Sequence, residues 1–256
     1  MKLNYFFSIV FILILFSCNH EEDTIKGKKI ESRGGVVLTF DDDYVDDWNK
    51  ANNILAQYNW KATFFVTHFD KLKPQEIQEL KNLQNKGNEI AAHGLNHQHT
   101  VLFVKENGAD SFIKQEINPM LTLMKNDGFN VTNFSYPYGN RTEETDKLLF
   151  SHFNFLRGTT YGSEAPNLQN CYYNKSKLIY GLGLDNSYPH FSVPYFLALL
   201  QYAKEQNKIV IFYAHKTVPK ASKNYETEFS TLTEICKFVK NNNMKFYTVS
   251  DLDKIK

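Results

Sequence analysis

Residues 35–58 of the chain read GVVLTFDDDYVDDWNKANNILAQY, and the fold prediction starts from this stretch. Gly35 to Phe40 form a short apolar run rich in β-branched side chains, which is typical of a buried strand. From Tyr44 to Tyr58 the apolar residues recur at helical spacing. The stretch therefore predicts a strand followed by a helix, with a run of aspartates at the junction.

The same alternation of strand and helix patterns continues to the end of the chain. Further strands are predicted at 62–67, 89–92, 131–136, 155–159, 178–184, 209–214 and 246–249. Further helices are predicted at 74–86, 112–124, 143–153, 195–204 and 229–241, the second of them kinked at Pro119. Alternation of this kind gives parallel βαβ units, and seven or eight of them favour a distorted (β/α) barrel over a doubly wound sheet. We expect one α/β domain over 35–256, with its functional residues at the strand ends.

Composition excludes several classes of protein. The chain has 256 residues, of which 42% are hydrophobic and 22% charged, as in an ordinary globular protein with one core. A formal net charge of +1 is too small for a polyanion-binding surface, so no nucleic-acid partner is expected. Three cysteines are too few for a disulfide scaffold. Cys171 and Cys236 either pair or stay as buried thiols, and their spacing does not decide which.

The first residues have the pattern of a targeting segment. Residues 1–17 combine Lys2 with an apolar run that is too short to span a bilayer, which indicates a signal peptide. The segment Leu15–Cys18 resembles a bacterial lipobox, in which Cys18 becomes the lipidated first residue; a plain secretory peptide cut elsewhere is the alternative. Residues 18–34 would then be a tether. We expect an exported lipoprotein anchored in a membrane, facing the periplasm or displayed on the cell surface.

Polar residues cluster directly after the predicted strands. Asp41, Asp42 and Asp43 follow the first strand, and since one aspartate suffices to cap a helix, three favour a bound cation. His93 and His97 follow the third strand at a spacing that lets both bind one metal, although such a pair alone is weak evidence. Two histidines with one carboxylate form the ligand set of a catalytic divalent metal with open positions.

Two more strand ends carry polar or aromatic groups. Residues 135–139 read SYPYG, which by itself also fits a simple Pro-Gly turn with aromatic packing. His215 follows the apolar strand 209–214, and a lone histidine in that position is usually structural. Because the carboxyl ends of barrel strands meet at one face, we expect all four features to lie together.

These segments resemble the motifs of a known family. In chain order, Thr39–Asp42, His93 to His97, Tyr136–Gly139 and Ala214–His215 resemble the motifs of the polysaccharide deacetylases, the NodB-type enzymes of carbohydrate esterase family 4. The resemblance extends from about Val36 to Leu252. It implies a metal-dependent hydrolase that removes acetyl groups from N-acetylated amino sugars in a polysaccharide or cell-wall glycan. An O-acetyl glycan esterase and a catalytically impaired carbohydrate-binding lipoprotein are the alternatives.

The resemblance also implies individual roles. The implied ligands of the metal, usually zinc but also cobalt, nickel or manganese, are Asp42, His93 and His97. Asp41 would be the general base that accepts a proton from the attacking water, and His215 the general acid that protonates the departing amine. The backbone N–H of Tyr138 would stabilise the oxyanion. Asp185 would tune the acid histidine, and Tyr136, Tyr138, Tyr188 and Asp185 would contact the sugar.

Three positions depart from the family pattern. Asp43 stands where the family has glycine, Gly94 where it has serine or threonine, and Ser135 where it has an arginine that pairs with the catalytic aspartate. Without a cation nearby, Asp41 would lack the group that orients it. We expect Arg157, on the next strand, to supply that cation; an ordinary surface arginine is the alternative.

Overall fold

A computed structural model describes Met1 and residues 34–255. Cys18, the predicted signal segment after Met1 and the tether as far as residue 33 lie outside the described residues. Within the described part, none of the helices is long and apolar enough to span a bilayer.

Strands and helices alternate along the described chain. The strands are β1 Gly35–Asp42, β2 Thr63–Val66, β3 Glu89–Ala92, β4 Asn133–Ser135, β5 Phe155–Thr160, β6 Leu178–Gly183, β7 Ile209–Ala214, β8 Lys216–Val218, β9 Glu226–Glu228 and β10 Lys245–Tyr247. The helices are α1 Val45–Leu55, α2 Pro74–Asn85, α3 Thr100–Asn107, α4 Ala109–Phe112, α5 Asn118–Asn126, α6 Glu143–Leu149, α7 Val193–Glu205 and α8 Phe229–Asn241.

Strands β1 to β7 form a closed parallel barrel. They pair in chain order, and β1 also pairs with β7, which closes the sheet. On its other edge β1 pairs with β10 over residues 35–37 and with β2 over residues 39–42. A seven-stranded barrel with one extra strand confirms the predicted distorted (β/α) barrel.

Side-chain alternation along each strand divides the core into two layers. Val37, Phe65 and Ile211 belong to a buried cluster inside the barrel. Leu38 and Phe40 belong to a larger cluster between the barrel and its helices. The inward positions of the strands therefore run from an apolar lower layer up to the carboxyl ends, where the polar residues begin.

Some elements differ from the sequence prediction. The kink expected at Pro119 is a π-helical turn, Ile113–Ile117, that joins α4 to α5, with Pro119 in the first turn of α5. Helix α3 and the small parallel sheet β8–β9 were not predicted. Strands of three residues are too short to carry a periodic signal, which explains why β8 and β9 escape sequence analysis.

The two cysteines of the described chain are buried free thiols. Burial raises the pKa of the Cys171 thiol to about 12 and also raises the pKa of Cys236. Both thiols are therefore protonated and unreactive at neutral pH.

Candidate active site and metal centre

The carboxyl ends of the barrel strands open into a pocket of about 220 Å³. The residues predicted from the sequence that line it are Asp41, Asp42, His93, His97, Tyr136, Tyr138, Tyr188 and His215. Arg157 and Asp185 are buried behind this lining, each in contact with a residue of the pocket. The structure thus brings together every predicted residue of the barrel site.

Asp42, His93 and His97 form a candidate metal centre. The Asp42 Oδ1 atom lies 3.3 Å from His97 Nε2 and 3.7 Å from His93 Nε2, and the three ligand atoms lie within 4.8 Å of one another. His93 Nδ1 lies 2.8 Å from the carbonyl oxygen of Ser135, so Nδ1 donates and the Nε2 lone pair faces the carboxylate. Two imidazole nitrogens and one carboxylate oxygen fit a divalent transition metal with open coordination positions.

The protonation states of this centre also suit metal binding. Burial raises the pKa of Asp42, but the hydrogen bond from His97 and the nearby histidine charges outweigh it and lower the pKa to about 2. Burial lowers the pKa of His93 to about 4, against the opposing charges of Asp41 and Asp42. At neutral pH the centre therefore presents a carboxylate and a neutral buried imidazole, which are the ligand forms of these groups.

The segments that carry the ligands have unusual backbone conformations. Asp42 and His97 have φ angles of 84° and 54°, in the left-handed region that is costly for most L-residues. The loop between the histidines is tied to the end of β2, since Thr67 Oγ1 donates to the Gly94 carbonyl at 2.7 Å. The His68 N–H donates to the Leu95 carbonyl at 2.9 Å. Such strain persists only where the surroundings impose it, and it is concentrated at functional sites.

Asp41 is held by Arg157. The Arg157 Nη2 group donates both to Asp41 Oδ2 and to the Ser135 hydroxyl, and the two charged side chains are only 1% and 4% exposed. The guanidinium carbon lies 5.0 Å from the centroid of the Tyr213 ring and 5.5 Å from that of Phe65, which adds cation–π contacts. Asp41 Oδ1 accepts no hydrogen bond from the described residues. One oxygen of this carboxylate is therefore fixed, and the other has a free lone pair.

His215 and Asp185 form a second charged pair in the pocket. His215 Nδ1 lies 2.6 Å from Asp185 Oδ2. Asp185 Oδ1 accepts hydrogen bonds from the backbone N–H of His215 and from the Thr227 hydroxyl. Burial lowers the pKa of His215, but the hydrogen bond and charge of Asp185, with the charges of Asp41 and Asp42, outweigh it and raise the pKa. Asp185 thus fixes Nδ1–H and leaves Nε2 for chemistry.

The segment 136–139 is held at one end by a hydrogen bond and at the other by tight packing. Tyr136 is buried, and its hydroxyl donates to Asp146 at 2.8 Å, so only its ring serves the pocket. Tyr138 has a φ of 61°, and its ring, whose centroid lies 4.6 Å from that of His97, is 63% exposed. Gly139 has a φ of 67° and packs so tightly that a Cβ atom would lie 2.0 Å from Thr159 Oγ1.

Three further tyrosines that the sequence analysis missed line the pocket. Tyr161 and Tyr225 are exposed, by 56% and 52%, and Tyr213 is buried. Tyr225 has a φ of 59°, and its ring centroid lies 5.1 Å from that of His215. Strand alternation could have found Tyr213, two residues before His215, but no signal marks the other two.

Two residues near the centre have roles that the sequence did not indicate. The Asp43 carboxylate lies 3.1 Å from His68 Nδ1, so the aspartate that departs from the motif pattern is paired with a histidine outside the motifs. The His68 ring centroid lies 6.4 Å from that of His97. The pair therefore borders the metal centre but contributes no atom to it.

Comparison with known proteins agrees with this geometry. A family model described as polysaccharide deacetylase matches residues 28–152. Residues 28–152 of the chain are thus similar to the polysaccharide deacetylase family. The match covers the aspartate and histidine motifs and the segment 136–139, but it ends before β5. Arg157, Asp185 and His215 are therefore placed by the structure alone.

A curated relative is similar to part of the chain. Over 120 residues the chain is 31% identical to the putative polysaccharide deacetylase YxkH of Bacillus subtilis (strain 168). That alignment covers 44% of this chain and 39% of the relative, so this chain spans well under half of the relative's length.

Solved structures share the fold. The Xyl-CE4 domain of a multidomain xylanase from the hindgut metagenome of Trinervitermes trinervoides is similar with a TM-score of 0.56 and 19% identity. The match covers 86% of this chain and 90% of that domain. The peptidoglycan deacetylase PdaC from Bacillus subtilis gives a TM-score of 0.54 and 18% identity, over 87% of this chain and 91% of its own. At these identities the likeness concerns the fold, and function must be argued from the site.

Proposed function

We propose that the chain is a metal-dependent deacetylase that hydrolyses the acetamide groups of N-acetylated amino sugars in a polysaccharide or cell-wall glycan. The observation that carries the proposal is the arrangement of two charged pairs, Asp41–Arg157 and Asp185–His215, around one cluster of metal-ligating side chains. Amide hydrolysis needs a base, an acid and an electrophilic site, and this pocket holds a candidate for each.

Asp42, His93 and His97 would hold the cation, with zinc as the proposed metal. When bound, a divalent cation supplies Lewis acidity, which makes water a stronger nucleophile and polarises the acetyl carbonyl. Asp42 contributes the negative charge of the ligand set, and Ser135 fixes the ring orientation of His93 through its carbonyl oxygen.

Asp41 is the proposed general base. Arg157, which also donates to the Ser135 hydroxyl, holds Oδ2 of the carboxylate. Oδ1 accepts no hydrogen bond from the described residues and is the proposed acceptor of the proton of the attacking water. His215 is the proposed general acid, which donates from Nε2 to the leaving nitrogen while Asp185 stabilises the imidazolium through Nδ1. The raised pKa of His215 favours the protonated form that this role requires.

The aromatic lining supports a glycan as substrate. Pyranose faces are apolar, and tyrosine rings offer flat apolar walls with a polar edge. We propose that Tyr138 contributes its backbone N–H to the developing oxyanion and its exposed ring to the sugar, with Tyr136 and Tyr188 as further walls.

The proposal is tested by acetate release from N- and O-acetylated glycans compared side by side with zinc-loaded protein. Asp42→Asn removes the ligating charge, and asparagine tolerates the left-handed backbone of this position. We expect Asp42→Asn to lose bound zinc and acetate release. Asp43→Asn is the matched control, because it makes the same change one residue away on a carboxylate paired with His68.

The panel separates the rival functions. Release from an N-acetylated glycan that is lost in Asp42→Asn and kept in Asp43→Asn supports the deacetylase. Release from O-acetylated glycans alone identifies an esterase with the same site. Glycan binding that a chelator does not affect, with no acetate released from any substrate, identifies a carbohydrate-binding protein and overturns the proposal.

We also propose that the chain is exported and anchored through a lipid on Cys18, which is supported by the lipobox-like segment Leu15–Cys18. Expression in a bacterial host with a radiolabelled fatty acid tests this, with Cys18→Ser as the control. Label on the wild-type chain and none on Cys18→Ser is expected. Unlabelled wild-type protein in the culture medium contradicts the anchor.

A further inference from the structure

A buried carboxylate outside the catalytic groups lies beside the metal centre. Glu116 is only 1% exposed and belongs to the π-helical turn Ile113–Ile117. No lysine, arginine or histidine of the described chain forms an ion pair with it. An ionised carboxylate is costly to bury without a cation, and π-helical turns are frequent at functional sites.

Both oxygens of Glu116 bind one residue of the ligand loop. Glu116 Oε2 accepts from the backbone N–H of Asn96 at 2.8 Å, and Oε1 accepts from the Asn96 side-chain amide at 2.7 Å. Asn96 directly precedes the ligand His97, whose φ is in the left-handed region. The Glu116 carboxylate therefore holds the loop at Asn96, the residue next to the proposed metal ligand His97.

The same contact accounts for Gly94. Gly94 has a φ of 77°, and a Cβ atom at this position would lie 3.3 Å from Glu116 Oε2. A serine or threonine there would be strained in its backbone and would press on the carboxylate. The departure from the family pattern at position 94 thus fits the way Glu116 approaches the loop.

We propose that Glu116 is a positioning residue that fixes His97 for metal binding by holding Asn96. The inference rests on the proposed metal centre. The loop is fixed on its other side by Thr67 and His68, so Glu116 completes a two-sided clamp. Groups that orient metal ligands from behind typically change metal affinity when they are altered, even though they never touch the metal.

The test is zinc affinity measured by competition with a chromogenic chelator, together with the thermal midpoint of the metal-free protein. Glu116→Gln keeps the side-chain shape but sets an amide N–H₂ against one of the two Asn96 donors. We expect zinc affinity to fall about 10- to 100-fold. Glu89→Gln is the matched control, since Glu89 accepts hydrogen bonds from Thr63 and Ser250 at the opposite end of the barrel. It should lower the thermal midpoint without changing zinc affinity.

Asn96→Ala provides a second variant, because Asn96 is exposed and its truncation leaves the core intact. It removes one of the two hydrogen bonds, so we expect a smaller loss of zinc affinity. The double variant should lose no more than Glu116→Gln alone, since both changes act through one contact. If wild-type and Glu116→Gln proteins bind zinc equally, only this inference fails. If the wild-type protein binds no zinc, the proposed metal centre fails with it.

Discussion

Ser135 and Arg157 are register partners in the β4–β5 pairing, and the Arg157 guanidinium donates both to the Ser135 hydroxyl and to the Asp41 carboxylate. The arginine that the deacetylase motif leads one to expect at position 135 thus stands on the neighbouring strand at the same height in the barrel. The guanidinium therefore comes from β5 instead of β4, and it still pairs with Asp41.

Arg157→Met should impair both stability and activity. It leaves the buried Asp41 charge without its partner, which costs about 3 kcal/mol of unfolding free energy. Since the oriented base is lost, acetate release should fall by about 100-fold or more while zinc content is unchanged. Urea unfolding, zinc analysis and an acetate assay measure the three quantities. Unchanged kinetics would show that Arg157 is not the partner on which Asp41 depends.

The double variant Ser135→Arg/Arg157→Ser moves the cation back to β4. Because the two positions are register partners, the guanidinium can reach Asp41 from either strand. We expect the double variant to recover part of the activity and stability that Arg157→Ser alone loses. A double variant no better than the single one would mean that only β5 can present this group.

The sequence predicted the barrel and most of its pocket for identifiable reasons. Strand runs with alternating helices specify parallel βαβ units, and polar residues directly after strands must meet at one face. Arg157 could be inferred because the missing cation had to come from a neighbouring strand. Tyr225 and Thr227 could not be, since they lie on or beside the three-residue strand β9, which has no periodic pattern. Glu116 was missed because a π turn has no recognisable spacing.

The Asp185–His215 pair should set the alkaline limit of activity. Asp185 raises the pKa of His215, and the proposed acid must be protonated, so activity should fall as pH rises through that pKa. In Asp185→Asn burial dominates, the pKa of His215 falls, and the alkaline limb of kcat/KM should move to lower pH. Thr227→Val removes a hydrogen bond to Asp185 but no charge, so it should move the limb less. A limb that stays in place in Asp185→Asn would exclude His215 as the acid.

The same pair makes folding stability depend on pH. The pKa of His215 is raised in the folded state above its ordinary value of 6.5. Its contribution to the unfolding free energy is therefore complete below pH 6.5 and is lost as pH rises through the folded pKa. Denaturation of wild-type and Asp185→Asn proteins across this range should give curves that converge at alkaline pH. Parallel curves would contradict the linkage.

Gly139→Ala should disrupt the segment that carries Tyr138. A Cβ atom at position 139 would lie 2.0 Å from Thr159 Oγ1, and the φ of 67° is unfavourable for alanine. Gly128→Ala, directly after the end of α5, is the matched control, since its φ of 90° is also unfavourable but nothing lies within 4 Å of the added atom. We expect Gly128→Ala to cost about 1 kcal/mol of unfolding free energy and Gly139→Ala clearly more, with acetate release lost only in the latter. Equal losses of unfolding free energy in the two variants would mean that the Thr159 side chain moves aside without destabilising the protein.

Tyr225 should contribute to binding of long glycans. The Tyr225 ring is half-exposed beside His215, and its backbone is in the left-handed region, which costs folding free energy. Stacking of a sugar on this ring would offset that cost. We expect Tyr225→Ala to raise KM for acetylated oligosaccharides by about tenfold, which corresponds to about 1.4 kcal/mol, while Tyr225→Phe stays near wild type. Leu168→Ala, which truncates another exposed apolar residue outside the pocket, should leave KM unchanged. If Tyr225→Phe is as impaired as Tyr225→Ala, the hydroxyl and not the ring face makes the contact, and the stacking role is wrong.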